Sequence, residues 1–456
     1  MPTPIINRKD LSLFTTANRF VLGRVFFESG MQNMIATFDL LVRDLPAHRN
    51  YLIFFGLEDI IDYIINLRFT NQQIKWLNNS YNFSPEIKRY FKNFRFTGDV
   101  WAMPEGSIFF GGEPIIRITA PLIKAQLLEM FLINAAYFPT IFASKLHRFI
   151  TASQNKSNAV GYNRSYGVDT AIKAERIKEA LGCLGGLALY NYKTGTPTFS
   201  TGTYHYLIKA FNNEELAIKT YLRATKGRGY VLVDTYNTIN GIKKFIYVAK
   251  ELKLEKITPI GIQIDSGDHY KLVCQARRLL DQAGLKNAKI FLIGNLDEYK
   301  VAKLQKLKAP VDVYSGTTEL LTPSDAPTME LVYKLAQLEH NNKIYPKMKT
   351  STAKLSLPGK KQVYRLVQRN KYVKDIIGLS SDASLGQSLL RPIIKKGKLI
   401  RALPQLTDIK NYVTKQVKQF DKKLFDVNNT VKYPVIISRR LLDLTKKTAK
   451  EILKNN

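Results

Sequence analysis

Between residues 229 and 335 the chain repeats one pattern. Four short apolar runs, Tyr230–Val233, Ile257–Ile264, Lys289–Ile293 and Pro310–Tyr314, alternate with helical patterns at about 241–253, 268–284 and 296–308. Strand, helix and strand at ~30-residue spacing predict βαβ units and a parallel sheet, whose strands, buried on both faces, read as continuous apolar runs. Upstream, Thr37–Val42 predicts a strand, Leu45-Pro46 a turn, and residues 56–67 a helix. Residues 101–120 carry Pro104, Gly106, Gly111, Gly112 and Pro114 between short β-prone runs, which is hairpin and turn chemistry. Pro121 opens a long apolar helix over 121–151, mostly uncharged on one side and so expected in the interior.

Each of the four strands ends in small polar or acidic residues: Asp234-Thr235, Asp265-Ser266-Gly267-Asp268, Gly294-Asn295 and Ser315-Gly316-Thr317-Thr318. Ligands of α/β barrels and doubly wound sheets bind at the C-terminal ends of strands, so four polar ends in series point at one pocket. Asp, Ser and Gly also serve as turns and helix caps, which is the plainer explanation of any single end. The carboxylates of Asp265 and Asp268 suit ribose hydroxyls or Mg²⁺. Ser315 to Thr318 lead into Glu319-Leu320-Leu321, where free backbone N–H groups suit an anion. Carboxylates beside an anion site suit a phosphorylated sugar.

Composition narrows the class. The 456 residues are 45% hydrophobic and 23% charged, which excludes a disordered, collagenous or coiled-coil chain and leaves room for two or three domains. Two cysteines, Cys183 and Cys274, exclude a disulfide framework and a multi-cysteine zinc site. No pair among His48, His147, His205, His269 and His340 has zinc-ligand spacing. The opening residues lack an apolar signal core, and the most apolar run, Leu127–Phe138, is about twelve residues, too short to span a bilayer. These features predict a cytoplasmic protein with no membrane partner. The net charge is +32, of which +20 lies in residues 341–456. That excess fits an acidic or nucleic-acid surface, and equally the Lys-, Asn- and Ile-rich coding of an AT-rich genome. The segment has no base-reading motif, so nucleic-acid binding is expected to be weak and non-specific at most.

Long blocks of the chain resemble nicotinate phosphoribosyltransferases, in the family's order. They include FDLLVRDLPAHRNYLIFFGLEDIIDYI, PEGSIFFGGEPIIRITAPLIKAQLLE, YVLVDTYNTINGI, GIQIDSGDHYKLV, RRLLDQAGLKNAKIFLIGNLDEY and SGTTELLTPSDAPTMELVYKL, between about Phe38 and Glu339. The resemblance implies an α/β fold: an N-terminal α/β domain (1–125), an irregular α/β barrel of the type II phosphoribosyltransferase kind (126–335) and a basic C-terminal segment (336–456) packing on the N-terminal domain. It implies a homodimer that makes nicotinate mononucleotide for NAD biosynthesis from nicotinate and phosphoribosyl pyrophosphate. ATP, with Mg²⁺, would drive that reaction through a phosphohistidine.

Carried over residue by residue, His205 takes the place of the phosphorylated histidine, with Thr201 or Thr203 for the threonine before it. Asp265 to Asp268 match the family's DSGD, Asp234 its VDTY, and Ser315, Gly316 and Thr318 its phosphate loop. The resemblance thus assigns catalysis to His205 and Asp265. It assigns substrate binding to Asn18, Arg164, Thr203, Asp234, Gln263, Gly294, Asn295, Ser315, Gly316 and Thr318. Several of these depart from the family. Asn18 stands where a tyrosine stacks on the pyridine, leaving Phe20 as the nearby aromatic. Gln263 stands where an arginine pairs with the nicotinate carboxylate, and of an arginine pair only Arg164 survives beside Asn163. The segment at Gly185 to Tyr190 also differs. The departures fall on ligand contacts while scaffold blocks persist. A homologue with altered base specificity, or a non-catalytic basic binding protein, is the alternative, and Gln263 suits a neutral base because an amide both donates and accepts.

Overall fold

The computed structural model describes residues 8–154, 156–184, 186–196, 202–351 and 356–455. They divide into two units: Met1–Ile141 with Thr328–Leu424 and Val431–Asn456, and Phe142–Pro327 with Phe425–Thr430. The boundary expected at 125/126 falls at 141/142, inside the helix Glu129–Ala152, because that helix contributes Leu132, Ala135 and Ala136 to the core of the first unit.

The first unit is built on an antiparallel sheet of seven strands, in spatial order Lys343–Pro346, Leu331–His340, Ile35–Val42, Pro114–Pro121, Asp99–Ala102, Arg391–Lys395 and Lys398–Leu399. A four-stranded sheet holds the hairpin Lys361–Gln368/Lys371–Leu379 with Gln387–Ser388 and Val435–Ile437 at its edges. The basic C-terminal segment is therefore woven into this unit: Arg391–Lys395 pairs with Asp99–Ala102. Helices Ala17–Glu28, Leu57–Asn66, Asn71–Tyr81 and Pro85–Lys92 pack Phe20, Ile60, Ile64, Leu77 and Phe91 into one apolar core with Leu40, Ile116 and Ile118 from the sheet.

The long apolar helix expected over 121–151 is there as Leu122–Gln126 and Glu129–Ala152, and it extends well beyond its twelve-residue most apolar run. Leu122–Gln126 and Glu129–Ala152 together are long and apolar enough to cross a membrane by length and composition, but 61% of the most apolar window is buried inside the protein. Its apolarity belongs to the interior: Leu128 and Leu132 are buried in the first unit, Phe142, Leu146 and Phe149 in the second.

The second unit holds five parallel strands, labelled β1 (Ser157–Val160), β2 (Tyr230–Leu232), β3 (Gly261–Ile264), β4 (Lys289–Leu292) and β5 (Val313–Gly316), in spatial order β1-β5-β4-β3-β2. Single parallel bridges, Leu184 beside β1 and Gly202 beside β2, extend the row at both ends, giving an irregular α/β barrel. Four of the strands and the three helices between them, Thr238–Leu252, His269–Gln282 and Glu298–Lys306, lie where the apolar pattern predicts. The fifth strand, β1, was not anticipated. Residues 261–264 are buried throughout, as parallel packing requires.

Candidate active site

The parallel topology brings the polar strand ends to one edge. In spatial order they are Ser315-Gly316 at the end of β5 with Thr317-Thr318 after it, Gly294-Asn295 after β4, Asp265 after β3 and Asp234-Thr235 after β2.

Three of these ends are braced to one another. The Asp234 carboxylate, at Oδ2, accepts from the Asp265 backbone N–H at 3.0 Å and from the Ser266 hydroxyl at 2.7 Å. The other oxygen, Oδ1, is buried and has no protein partner. Gly294, at φ +106°, lies so close to the Asp265 carbonyl that a β-carbon would come within 2.4 Å of it. Only glycine accepts both that conformation and that approach. The turn after β3 is thus held from both sides, which fixes where the Asp265 side chain points.

His205 opens the short helix His205–Ala210. Its Nδ1 lies 3.1 Å from the Thr235 hydroxyl and its Nε2 3.7 Å from Asp265 Oδ2. Both side chains are about 40% exposed, so imidazole and carboxylate are reachable from solvent. Thr203 is buried beneath this helix; its hydroxyl accepts from the Leu232 N–H at 2.7 Å, which ties the histidine segment to β2. Thr201 lies outside the described residues.

Gln263 is buried on β3, and its Oε1 would be 2.1 Å from a β-carbon at Gly202. Ser315 and Gly316 are strand residues, and Ser315 is buried, so the loop proper begins only at Thr317. Thr318 starts a four-residue helical turn. Arg164 is exposed in the loop after β1.

Asp268 is the N-cap of helix His269–Gln282, accepting from the Lys271 N–H at 3.1 Å. Its carboxylate therefore does the structural work of a cap, as Asn237 and Asp297 do for their helices. Asn18 is exposed in the first turn of helix Ala17–Glu28, in the first unit. Phe20 cannot act as a stacking platform, because it is buried in that unit's core against Phe69 and Phe91. Sequence reasoning missed the contact of Thr235 with His205, and its only signal was its place in a polar strand end.

Among the described residues no group of three or more His, Cys, Asp and Glu side chains forms a cage for an ion. The available donors are Asp265 and the free oxygen of Asp234. That set suits a hard cation bound through one or two carboxylates and completed by substrate phosphates.

Residues 13–136 match the nicotinate phosphoribosyltransferase N-terminal domain and residues 383–445 the C-terminal domain of the same family. The chain is 32% identical over 437 residues to nicotinate phosphoribosyltransferase pncB2 of Mycobacterium tuberculosis, covering 94% of this chain and 92% of that protein. It is 30% identical over 461 residues to the nicotinate phosphoribosyltransferase of Bacillus subtilis, covering 94% and 93%. Among solved structures, human nicotinic acid phosphoribosyltransferase superposes with a TM-score of 0.83 at 20% identity, over 95% of this chain and 99% of that one. The nicotinate-nucleotide pyrophosphorylase of Pyrococcus furiosus superposes with a TM-score of 0.73 at 19% identity, over 92% and 98%.

Proposed function

The chain belongs to the nicotinate phosphoribosyltransferase family, and from that premise we propose how its own residues carry the reaction. It is an enzyme of NAD biosynthesis that joins nicotinate to phosphoribosyl pyrophosphate, giving nicotinate mononucleotide and pyrophosphate. The observation that carries the proposal is the His205–Asp265 pair at the C-terminal edge of the parallel sheet, 3.7 Å apart and open to solvent.

In this reading His205 accepts the γ-phosphoryl group of ATP and so couples its hydrolysis to ribosyl transfer. Asp265, its backbone held by Asp234, faces the imidazole and balances the charge the ring gains. The same carboxylate lies where a phosphoribosyl group would sit over the strand ends. The pyridine nitrogen attacks C1 of the ribose, and the bond to pyrophosphate breaks with its electrons on the leaving oxygen. Thr318 and the backbone N–H groups around it would hold phosphate oxygens. Asp265 and Asp234 would hold Mg²⁺, which supplies charge neutralisation for the leaving pyrophosphate. Asn295 and Gly294 line the same edge, and Gln263, below it on β3, would meet the base. The reading includes a homodimer in the cytoplasm.

Gln263 favours a second reading, an enzyme that takes a neutral base. A glutamine amide recognises a carboxamide but lacks the charge-assisted fork that holds a carboxylate. One assay separates the two. Purified protein with phosphoribosyl pyrophosphate, Mg²⁺ and ATP receives nicotinate or nicotinamide, and mononucleotide and pyrophosphate are measured. Product from nicotinate supports the first reading. Product from nicotinamide alone supports the second, and no product with either base overturns both.

A further inference from the structure

Beside His205 stands a residue with no role so far. Thr235 follows Asp234 at the end of β2, and the two neighbours reach in different directions. Asp234 braces the turn that carries Asp265, and Thr235 meets the ring of His205. One dipeptide therefore sets both members of the His205–Asp265 pair.

The hydrogen-bonding capacities of the partners decide the state of the ring. A carboxylate only accepts hydrogen bonds, whereas a hydroxyl both donates and accepts. Asp265 Oδ2 faces Nε2 at 3.7 Å, so the proton of the neutral imidazole belongs on Nε2. Nδ1 then carries the lone pair, and the Thr235 hydroxyl, 3.1 Å away, donates to it. In the opposite tautomer a nitrogen lone pair would face a carboxylate with no proton between them. This is the logic by which a carboxylate orients a catalytic histidine elsewhere.

We propose that Thr235 is the positioning residue of His205: its hydroxyl holds Nδ1 and, with Asp265 opposite, presents the Nδ1 lone pair as the phosphoryl acceptor. The proposal rests on the reading of His205 as the phosphorylated residue. In the step itself the Nδ1 lone pair forms the bond to the γ-phosphorus of ATP. The bond from that phosphorus to the bridging oxygen breaks, and its electrons leave with ADP. Nε2 keeps its proton, and Asp265 faces the positive charge on the ring. The Thr235 hydroxyl, released from Nδ1, turns its hydrogen to an oxygen of the incoming group.

Two variants and two measurements test this. Thr235→Val keeps the shape and removes the hydroxyl; Thr235→Ser keeps the hydroxyl. In single turnovers with [γ-³²P]ATP and Mg²⁺, Thr235→Val should label His205 at least tenfold more slowly than wild type, about 1.4 kcal/mol of barrier. Thr235→Ser should stay within about threefold of wild type, and ATP affinity should be unchanged in both. Separately, ¹⁵N-histidine NMR on the ATP-free protein should show His205 as the Nε2–H tautomer, with mixed tautomers in Thr235→Val. Labelling of Thr235→Val at the wild-type rate, or an Nδ1–H ring in wild type, overturns the proposal. If wild type takes no label at all, the phosphohistidine reading fails, and the proposed acceptor role fails with it. The NMR comparison still decides whether Thr235 holds the ring.

Discussion

Gln263 Oε1 lies so near Gly202 that a β-carbon there would sit 2.1 Å away. The missing side chain at Gly202 gives the end of the residue-263 side chain its room. The family's arginine at this place would use the same room to pair with a carboxylate. Neither Arg19 nor Arg24 is spare to replace it: Arg19 pairs with Glu129, and Arg24 with Glu28 and the Tyr81 carbonyl. Loss of a charged partner from a buried carboxylate site costs about 2–5 kcal/mol. Gln263→Arg should therefore strengthen nicotinate binding at least tenfold and leave nicotinamide binding no tighter, read by calorimetry. Micromolar nicotinate binding by the unaltered protein would show that another cation, with Arg164 the remaining candidate, has taken over.

Asp234→Ala removes the acceptor of two hydrogen bonds that hold the turn after β3. Hydrogen bonds to a charged group contribute about 1.5–3 kcal/mol each, and this pair is partly solvent-exposed, so the lower end applies. For the two bonds together, denaturant unfolding should show a loss of about 3 kcal/mol. Activity should fall by more than that loss of folded protein explains, because Asp265 loses its fixed direction. A variant with full activity would show that the brace is dispensable.

How the site became legible follows from what each residue does locally. The ends of β2 to β5 could be read because buried parallel strands leave long apolar runs with abrupt polar ends. β1 could not: Ser157-Asn158-Ala159-Val160 is neither apolar nor alternating, and its strand form depends on pairing with β5. Among the described residues the basic C-terminal segment hid three hairpins, although their turns were readable. Asn341-Asn342, Arg369-Asn370 and Lys396-Gly397 each hold two successive positive-φ residues, the geometry of the tight turns that match strand twist. Asp268 reads two ways because a cap and a ligand use the same carboxylate, and the cap shows only once the position of the next helix is known. Thr235 was invisible because its partner lies 30 residues away in sequence.

His205→Ala should abolish phosphoryl labelling from [γ-³²P]ATP. The wild-type label should be acid-labile and base-stable, as a phosphoramidate on imidazole is and a phosphoester on Ser or Thr is not. Persistence of the label in His205→Ala would place the phosphoryl group on another residue.

His147 sets a pH dependence in the second unit. Burial, with the Arg148 charge beside it, holds its imidazole down to about 4. The folded state thus favours the neutral ring, and between pH 6.5 and about 4 the unfolded chain binds the extra proton. The resulting stability is complete above pH 6.5 and is lost as pH falls toward 4, by about 3 kcal/mol at most. In His147→Gln this loss should be absent. Unfolding free energies of both proteins from pH 7 to pH 4 test it, and parallel curves would assign the acid sensitivity to other groups.

The last prediction concerns the basic C-terminal segment. Part of its charge is already used inside the first unit: Lys361 pairs with Asp39 at 2.8 Å, Arg365 is buried against Asp375, and Arg440 pairs with Asp382 at 2.8 Å. Charges neutralised in this way contribute little to a polyanion surface. The terminal helix Arg439–Asn455 leaves Lys446, Lys447, Lys450 and Lys454 exposed, with Arg439 at its start. About five phosphate contacts on such a face give a log–log salt slope of roughly −4 to −5, which makes binding weak at physiological salt. The segment carries no base-reading motif, so affinity should not vary with sequence. Electrophoretic shifts with duplex DNA and with RNA across a salt series should show this weak, steeply salt-dependent and sequence-blind binding. Lys446→Glu with Lys450→Glu should reduce it without altering mononucleotide synthesis. Nanomolar, sequence-selective binding that survives physiological salt would show that the segment is a nucleic-acid reader and not a by-product of basic composition.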